Sequence, residues 1–214
     1  MDKILKTYKG FDKNLKCRDF QYEIGKEYEE SEAEQCQKGF HACEYPLDVF
    51  GYYPPADSRY CEVEQSGEIS KGDGDTKVAS TKIKIGAEIG IKGLIEATFK
   101  YVKERCTTHT QGADNAALTG GNRSALTGGN RSALTGGDTS ALTGGDMSAL
   151  TGGNRSVVYG GEDAKVRAKK GSVLALQYWK DGEFKGVKFK EVDGVKIKED
   201  TYYTLVDGRF KEVK

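Results

Sequence analysis

From Leu118 onward, one large apolar residue recurs every eight positions: Leu118, Leu126, Leu134, Leu142, Leu150, Val158, Val166 and Leu174. The stretch SALTGG stands at 124–129, 132–137, 140–145 and 148–153, and AALTGG precedes it at 116–121. Each octad reads as a strand plus a corner. RSALT is extended over roughly 16 Å at the usual strand rise. GGN is the corner, because glycine reaches positive φ without a Cβ clash and Asn or Asp tolerates it better than most residues. Side chains alternate along a strand, so Ser and Leu share the inner face while Arg, Ala and Thr face outward. An even period keeps that assignment at every pass. Two octads then make one coil, stacked on the next at about 4.8 Å. The array predicts three to four coils and a stack of roughly 15–20 Å at that spacing. The other arrangements compatible with the period are an antiparallel meander with GGN at each hairpin, and a flexible linker.

The flanks have different textures. Strands are expected at 4–11, 19–25, 59–67 and 77–85, the last alternating cleanly, with turn signals in PPADS (54–58) and KGDGD (71–75). A helix is expected over 87–105, where Ile91, Leu94, Ile95, Thr98 and Val102 form one stripe, Lys103 and Arg105 sit in the last turn, and Gly90 and Gly93 weaken the start. It is placed to cap the open first coil. After the repeats, SVLALQYW (172–179) continues the phase through Leu174 with bulkier residues. KDGE (180–183) and VDG (192–194 and 206–208) are turn signals flanked by alternating runs such as VKIK and TYYTLV. An open last coil templates aggregation, so 171–214 reads as two or three hairpins closing the stack. The expected fold is mostly β: a small α+β N-terminal domain (1–105), an octapeptide-repeat β-solenoid (106–170) and a C-terminal β-hairpin cap (171–214).

Composition narrows the function classes. Lys plus Arg and Asp plus Glu both total 33, so the net charge is +0 and no basic excess points to nucleic acid. No apolar run approaches the roughly 18 residues that cross a bilayer. The opening MDKILKTYKGF is too polar for a signal peptide, and five cysteines without an export signal fit reduced thiols in a cytoplasm.

Several patterns invite chemistry. With two octads per coil, Arg123, Thr139 and Arg155 form one row and Arg131, Met147 and Asp163 another; the arginines are candidate binding residues. The Thr rows suggest an ice-binding face, but Arg interrupts them. The row Asn122, Asn130, Asp138, Asp146, Asn154 has too few carboxylates for calcium and reads as corner chemistry. Cys36, His41 and Cys43, with Cys17 or Cys61, offer zinc ligands without the paired CxxC spacing that makes such a reading strong. His41 or His109 is a candidate base for a Cys–His pair. No metal, cofactor or catalytic residue is assigned. Tyr45, Phe50, Tyr52, Tyr53 and Tyr60 cluster as small-domain core, and Tyr52 and Tyr53 are candidate binding residues if exposed.

Two resemblances follow from the N-terminal segments. YKGF (8–11), GFHAC (39–43) and CEVE (61–64) stand in an order that resembles the ADP-ribosyltransferase fold. It implies Lys9 on a pyrophosphate, Tyr52 or Tyr53 against a nicotinamide ring and Glu62 or Glu64 as the acid; Lys9 departs from the usual Arg or His. The longer run YKGFDKNLKCRDFQYEIGKEYE, KGFHACEYPLDVFGYYPP and RYCEVEQSGEISKGDGDTKVASTKIKIGAEIG, followed by short octads, resembles a family of uncharacterised bacteriophage and prophage proteins. That resemblance implies a non-enzymatic protein in the cytoplasm of an infected or lysogenic bacterium. Its implied role is to bind and block a host macromolecule such as a CRISPR-type defence nuclease. A phage structural or adsorption β-roll and an ADP-ribosyltransferase-like enzyme are the alternatives. A host protein or complex is the expected partner, self-association through the flat Thr/Ala face is an option, and neither membrane nor direct nucleic-acid contact is expected.

Overall fold

A computed structural model describes residues 4–54, 57–72 and 76–213. The turn signals PPADS and KGDGD lie partly outside the described residues, at 55–56 and 73–75. The chain forms two compact units, Met1–Thr98 and Phe99–Lys214, and the division falls inside the helix α1 (Ile91–Arg105).

The first unit holds seven strands among the described residues: β1 (Leu5–Asp12), β2 (Lys16–Cys17), β3 (Phe20–Gln21), β4 (Glu27–Glu29), β5 (Phe40–Cys43), β6 (Ser58–Lys71) and β7 (Lys77–Ile89). All their pairings are antiparallel. β1 pairs with β6 and β5, and β7 pairs with both as well, so these four strands close into a small barrel; β4 continues the sheet along β7. Closure buries strands on both faces. In β1 every residue from Thr7 to Phe11 is buried. In β6 a register shift between Cys61 and Val63 lets adjacent Tyr60 and Cys61 both be buried, as a bulge does. Phe11, Leu15, Tyr22, Phe40, Val63, Ile83 and Ile85 fill the barrel, while Tyr8, Val49, Tyr60 and Leu94 make a second cluster.

Two expectations here are corrected. The strand expected at 19–25 is cut to Phe20–Gln21. The helix begins at Ile91 rather than at 87, because β7 keeps pairing with β6 as far as Ile89↔Tyr60. Leu94, Ile95, Thr98 and Val102 of the expected stripe are buried, whereas Ile91 is exposed.

The second unit contains the β-solenoid, about four turns over residues 108–176. Its strands are β8 (Thr108–Gln111), β9 (Ala117–Thr119), β10 (Ser124–Thr127), β11 (Ala133–Thr135), β12 (Ala141–Gly144), β13 (Ala149–Thr151), β14 (Val157–Gly160) and β15 (Lys165–Arg167), continued by β16 (Val173–Lys180), β17 (Glu183–Glu191), β18 (Tyr203–Val206) and β19 (Arg209–Glu212). Pairing is parallel with a 16-residue offset, as in Leu126↔Leu142 and Leu134↔Leu150. That register excludes the meander and the flexible linker. One sheet is ordered β17-β16-β14-β12-β10-β8, and the other β19-β18-β15-β13-β11-β9. Leu126, Leu134, Leu142, Leu150, Val158, Val166 and Leu174 are buried in a shared core, with Leu118 half-buried at its start.

The serines are buried with the leucines and close a ladder. The Ser140 Oγ accepts the Ser124 N–H at 3.2 Å and donates to the Gly121 carbonyl at 3.3 Å. The same pair of bonds recurs for Ser148, Ser156 and Ser172. Outside, each corner Asx caps the next coil: the Asn122 Oδ1 accepts the Asp138 N–H at 2.9 Å, Asn130 accepts that of Asp146 at 2.9 Å, and Asp138 accepts that of Asn154 at 2.8 Å.

The corner itself differs from expectation. Positive φ falls not on the glycines or the Asx but on the slot after it: Arg123 (58°), Arg131 (56°), Thr139 (56°), Met147 (57°), Arg155 (51°) and Asp163 (55°). A left-handed non-glycine residue costs roughly 1–2 kcal/mol. Stacking holds it there, since the Arg123 N–H donates to the Asp138 carbonyl and the Arg131 N–H to that of Asp146, both at 2.8 Å. The paired glycines serve close approach instead. A Cβ on Gly136 would meet the Leu142 Cδ1 and Ser140 Cβ at 2.9 Å. On Gly145 it would meet the Asn130 Oδ1 at 2.2 Å and the Gly129 carbonyl carbon at 2.9 Å. There is room for one hydrogen on the inside and one against the coil before.

β16 follows β14 in parallel register through Leu176, then turns at Asp181–Gly182 and returns as antiparallel β17. The β18–β19 hairpin turns at Asp207–Gly208 and seals the other sheet through Val166↔Tyr203. The expected strand at VKIK is instead a loop. The Asp193 carboxylate accepts the backbone N–H groups of Val195, Lys196 and Ile197, which curls that segment out of extended geometry.

Candidate functional site

In the first unit a cavity of about 720 Å³ opens beside β1 and β5. Gly10 makes one wall: a Cβ there would strike the Tyr53 Cβ at 2.7 Å and its ring at 2.8 Å, so only glycine lets that side chain lie on β1. Tyr53 follows the 3-10 turn Pro46–Gly51, and its carbonyl accepts the Tyr60 hydroxyl at 2.6 Å. Burial, with the Cys17 thiol bonded beside it, pushes the Tyr53 hydroxyl well above the ordinary tyrosine range.

Lys9 alternates with Thr7 and Phe11 on the inner face of β1. Thr7 is satisfied by Gln65, whose amide also reaches the Phe40 and Val78 carbonyls and the Ser80 hydroxyl. The Lys9 ammonium donates to the His41 carbonyl at 2.7 Å and to the Cys17 thiol at 3.6 Å. Burial lowers its pKa below the ordinary lysine value, with Cys17 partly opposing. His41 is lowered too, first by burial and then by Lys9, and its Nε2 accepts the Cys36 N–H at 2.9 Å. At the rim, the Lys77 ammonium donates to the Tyr52 hydroxyl at 3.1 Å; that bond and one to Cys36 hold Lys77 above its usual range.

The cavity therefore gathers Tyr52, Tyr53, Lys9 and His41 with Cys17, Cys36 and Cys43. Glu62 and Glu64 do not line it; Glu62 pairs with Lys6 at 2.8 Å. The carboxylates on its wall are Asp19 and Glu30, and Glu30 accepts the Gly39 N–H at 3.1 Å. Among the described residues no three His, Cys, Asp or Glu side chains converge as metal ligands. Cys61 lies in the barrel core, where burial pushes its thiol up to about 11. His109 stands exposed on β8, in the second unit. Arg18, on the cavity wall with φ of 55°, was not singled out by the sequence; a left-handed Arg next to a Cys carries no local signature.

In the second unit Arg123 and Arg155 share one corner row, two coils apart with Thr139 between them, while Arg131 lies on the opposite row. The Thr rows are short. Thr127 and Thr143 are exposed before Tyr159 takes the slot, and Thr151 is covered by Tyr202 and Arg167. The sequence also missed the partly exposed Trp179–Phe184 pair of the β16–β17 hairpin, whose ring centroids are 5.4 Å apart.

No helix among the described residues is long and apolar enough to cross a membrane. No curated protein and no solved structure matches the chain. Residues 5–97, the barrel and the first half of α1, match the model of a domain of unknown function, DUF7666, and the octad array lies outside that match.

Proposed function

We propose that this chain is a non-enzymatic interaction protein whose solenoid presents a rigid docking face to another macromolecule. The observation that carries the reading is the solenoid's outer surface. Its strands expose Ala and Thr, its corners carry Arg123, Arg131 and Arg155, and its core holds no charge. Such a surface is preorganised, so little conformational entropy is lost when a partner docks. The finer reading, a phage-encoded inhibitor of a host defence nuclease of the CRISPR type acting in the bacterial cytoplasm, is supported by the resemblance of the N-terminal segments alone.

The alternative of a structural or adsorption β-roll is supported by the solenoid. The antiparallel β17 and β18–β19 at its C-terminal end weigh against it, because they end the parallel coil pattern that a stacked copy would continue. The test is an affinity pull-down from infected bacterial lysate with the intact tagged chain beside the triple variant Arg123→Glu, Arg131→Glu, Arg155→Glu. Deleting the repeats is a poorer control, since β16 and β18 pair directly with the last coils. One stoichiometric partner, lost in the triple variant and inhibited by the purified chain, supports the proposal. Recovery of virion proteins, or of the chain alone, rejects it.

A further inference from the structure

We propose that the cavity beside Lys9 is a binding site for a small organic oxyanion, a phosphate or carboxylate carried on a flat ring. The argument starts from a buried charge. Lys9 is 4% exposed, and its ammonium touches a carbonyl, a thiol and the faces of Phe11 and Tyr22 at 5.6 and 5.4 Å. These contacts occupy two of its three N–H donors and none of them carries a full negative charge. Among the described residues no carboxylate forms an ion pair with it. Burying an ammonium without a counter-ion is costly, and beside Lys9 the barrel's buried Thr7, Gln65 and Ser80 form a neutral network instead. A lysine placed here instead of a neutral residue has a purpose if an anion arrives from the cavity it lines.

The wall supports that sign and that shape. Lys9, Arg18, Lys38 and Lys77 line the cavity with only Asp19 and Glu30 as carboxylates, and a low-dielectric concavity focuses the excess positive potential. Lys38 is committed to Glu32 and Glu30 to a backbone N–H, which leaves Lys9 as the inner cation and Arg18 as an exposed one on the wall. The flat surfaces are Tyr53 seated on Gly10, and Tyr52 and Phe20 at the rim, each 47% exposed. A volume of about 720 Å³ suits a ligand of nucleotide size. This site is independent of the solenoid reading and stands or falls without it.

The test uses the purified full chain and four probes, AMP, ribose 5-phosphate, benzoate and inorganic phosphate, titrated by calorimetry. The expected result is binding of AMP or benzoate, with at least tenfold weaker binding in Lys9→Met and a smaller loss in Tyr52→Ala. AMP against benzoate separates phosphate from carboxylate, and the two probes without an aromatic ring show what the flat ring adds. Free Lys9→Met is expected to unfold at or above the wild-type temperature, because an unpaired buried charge has been removed; a merely structural lysine would give the opposite. The proposal is overturned if no probe binds at millimolar concentration, or if Lys9→Met binds as tightly as wild type. Should Lys9→Met fail to fold, unchanged affinity in Tyr52→Ala, whose side chain is at the rim, overturns it.

Discussion

In the barrel, Gln65 is satisfied by Thr7, Phe40, Val78 and Ser80, four partners brought from three other strands and used once. In the solenoid, the buried serines from Ser140 onward are each satisfied by the serine and the glycine that occupy equivalent places in the preceding coil. One region solves its buried polar groups individually, over separations as long as 58 residues; the other solves one case and repeats it. The difference teaches where tolerance lies. In a stack, the cost of a substitution depends on its slot in the octad and on whether a coil lies against it. In the barrel it depends on contacts that no neighbouring residue announces. Lys9 belongs to the second kind, a buried group whose charge no partner in the fold cancels.

The largest effect that tests this contrast is expected at the second glycine of the octad. Gly145→Ala forces a Cβ into the Asn130 backbone and carbonyl neighbours and is expected to cost about 3 kcal/mol or more. Gly121→Ala, the same slot with nothing within 4 Å, is expected to change stability by less than about 0.5 kcal/mol. Denaturant unfolding followed by circular dichroism reads both, and equal costs would show that the glycines act through local conformation instead. Next comes Ser140→Ala. It leaves the buried Ser124 N–H without its acceptor and is expected to cost about 2 kcal/mol. Ala164 takes the serine slot after Ser148 and ends the ladder on that side, while Ser172 continues it on the other.

A smaller loss, about 1 kcal/mol, is expected for Asn130→Ala, which removes the acceptor for the exposed Asp146 N–H. A loss as large as that of Ser140→Ala would mean that the outer ladder holds the coils as firmly as the inner one. The smallest effect is a gain. Thr139→Gly relieves a left-handed residue but loosens the unfolded chain, for a net stabilisation of about 0.5 kcal/mol. Gly171, with φ of 74°, is the natural precedent in that slot. Destabilisation would place the Thr139 side chain, not its backbone, in control of the corner.

Much of the second unit is legible in residues 116–176 because every octad meets the same surroundings. An even period with one Leu and one Ser per repeat already implies a two-sided coil with those two inside, and Leu174 already extends the phase into the cap. The corner was misread from the same letters. Gly–Gly–Asn looks like a set of positive-φ residues, yet from Gly128 on each paired glycine is small for the sake of an atom 15 residues or more away or on the inner face, and the Asx side chain points at the next coil. The cavity was legible only as an inventory. YKGF named Lys9, and CQKGFHAC named His41 with two cysteines, but nothing local said that β1 is buried on both faces.

Readable from the chain alone are the properties that repeat: the period, the buried Leu and Ser, the number of octads per coil and the Asp–Gly turns that end the stack. Those follow from alternation and from turn chemistry, which act within a few residues. Tertiary structure alone decided which residue takes the strained corner and why the glycines are glycines. It also decided that a lysine eight residues from Cys17 and 32 from His41 comes to lie buried between them. Those outcomes depend on which distant strand lies within a hydrogen bond's length, and short-range patterning carries no record of that distance.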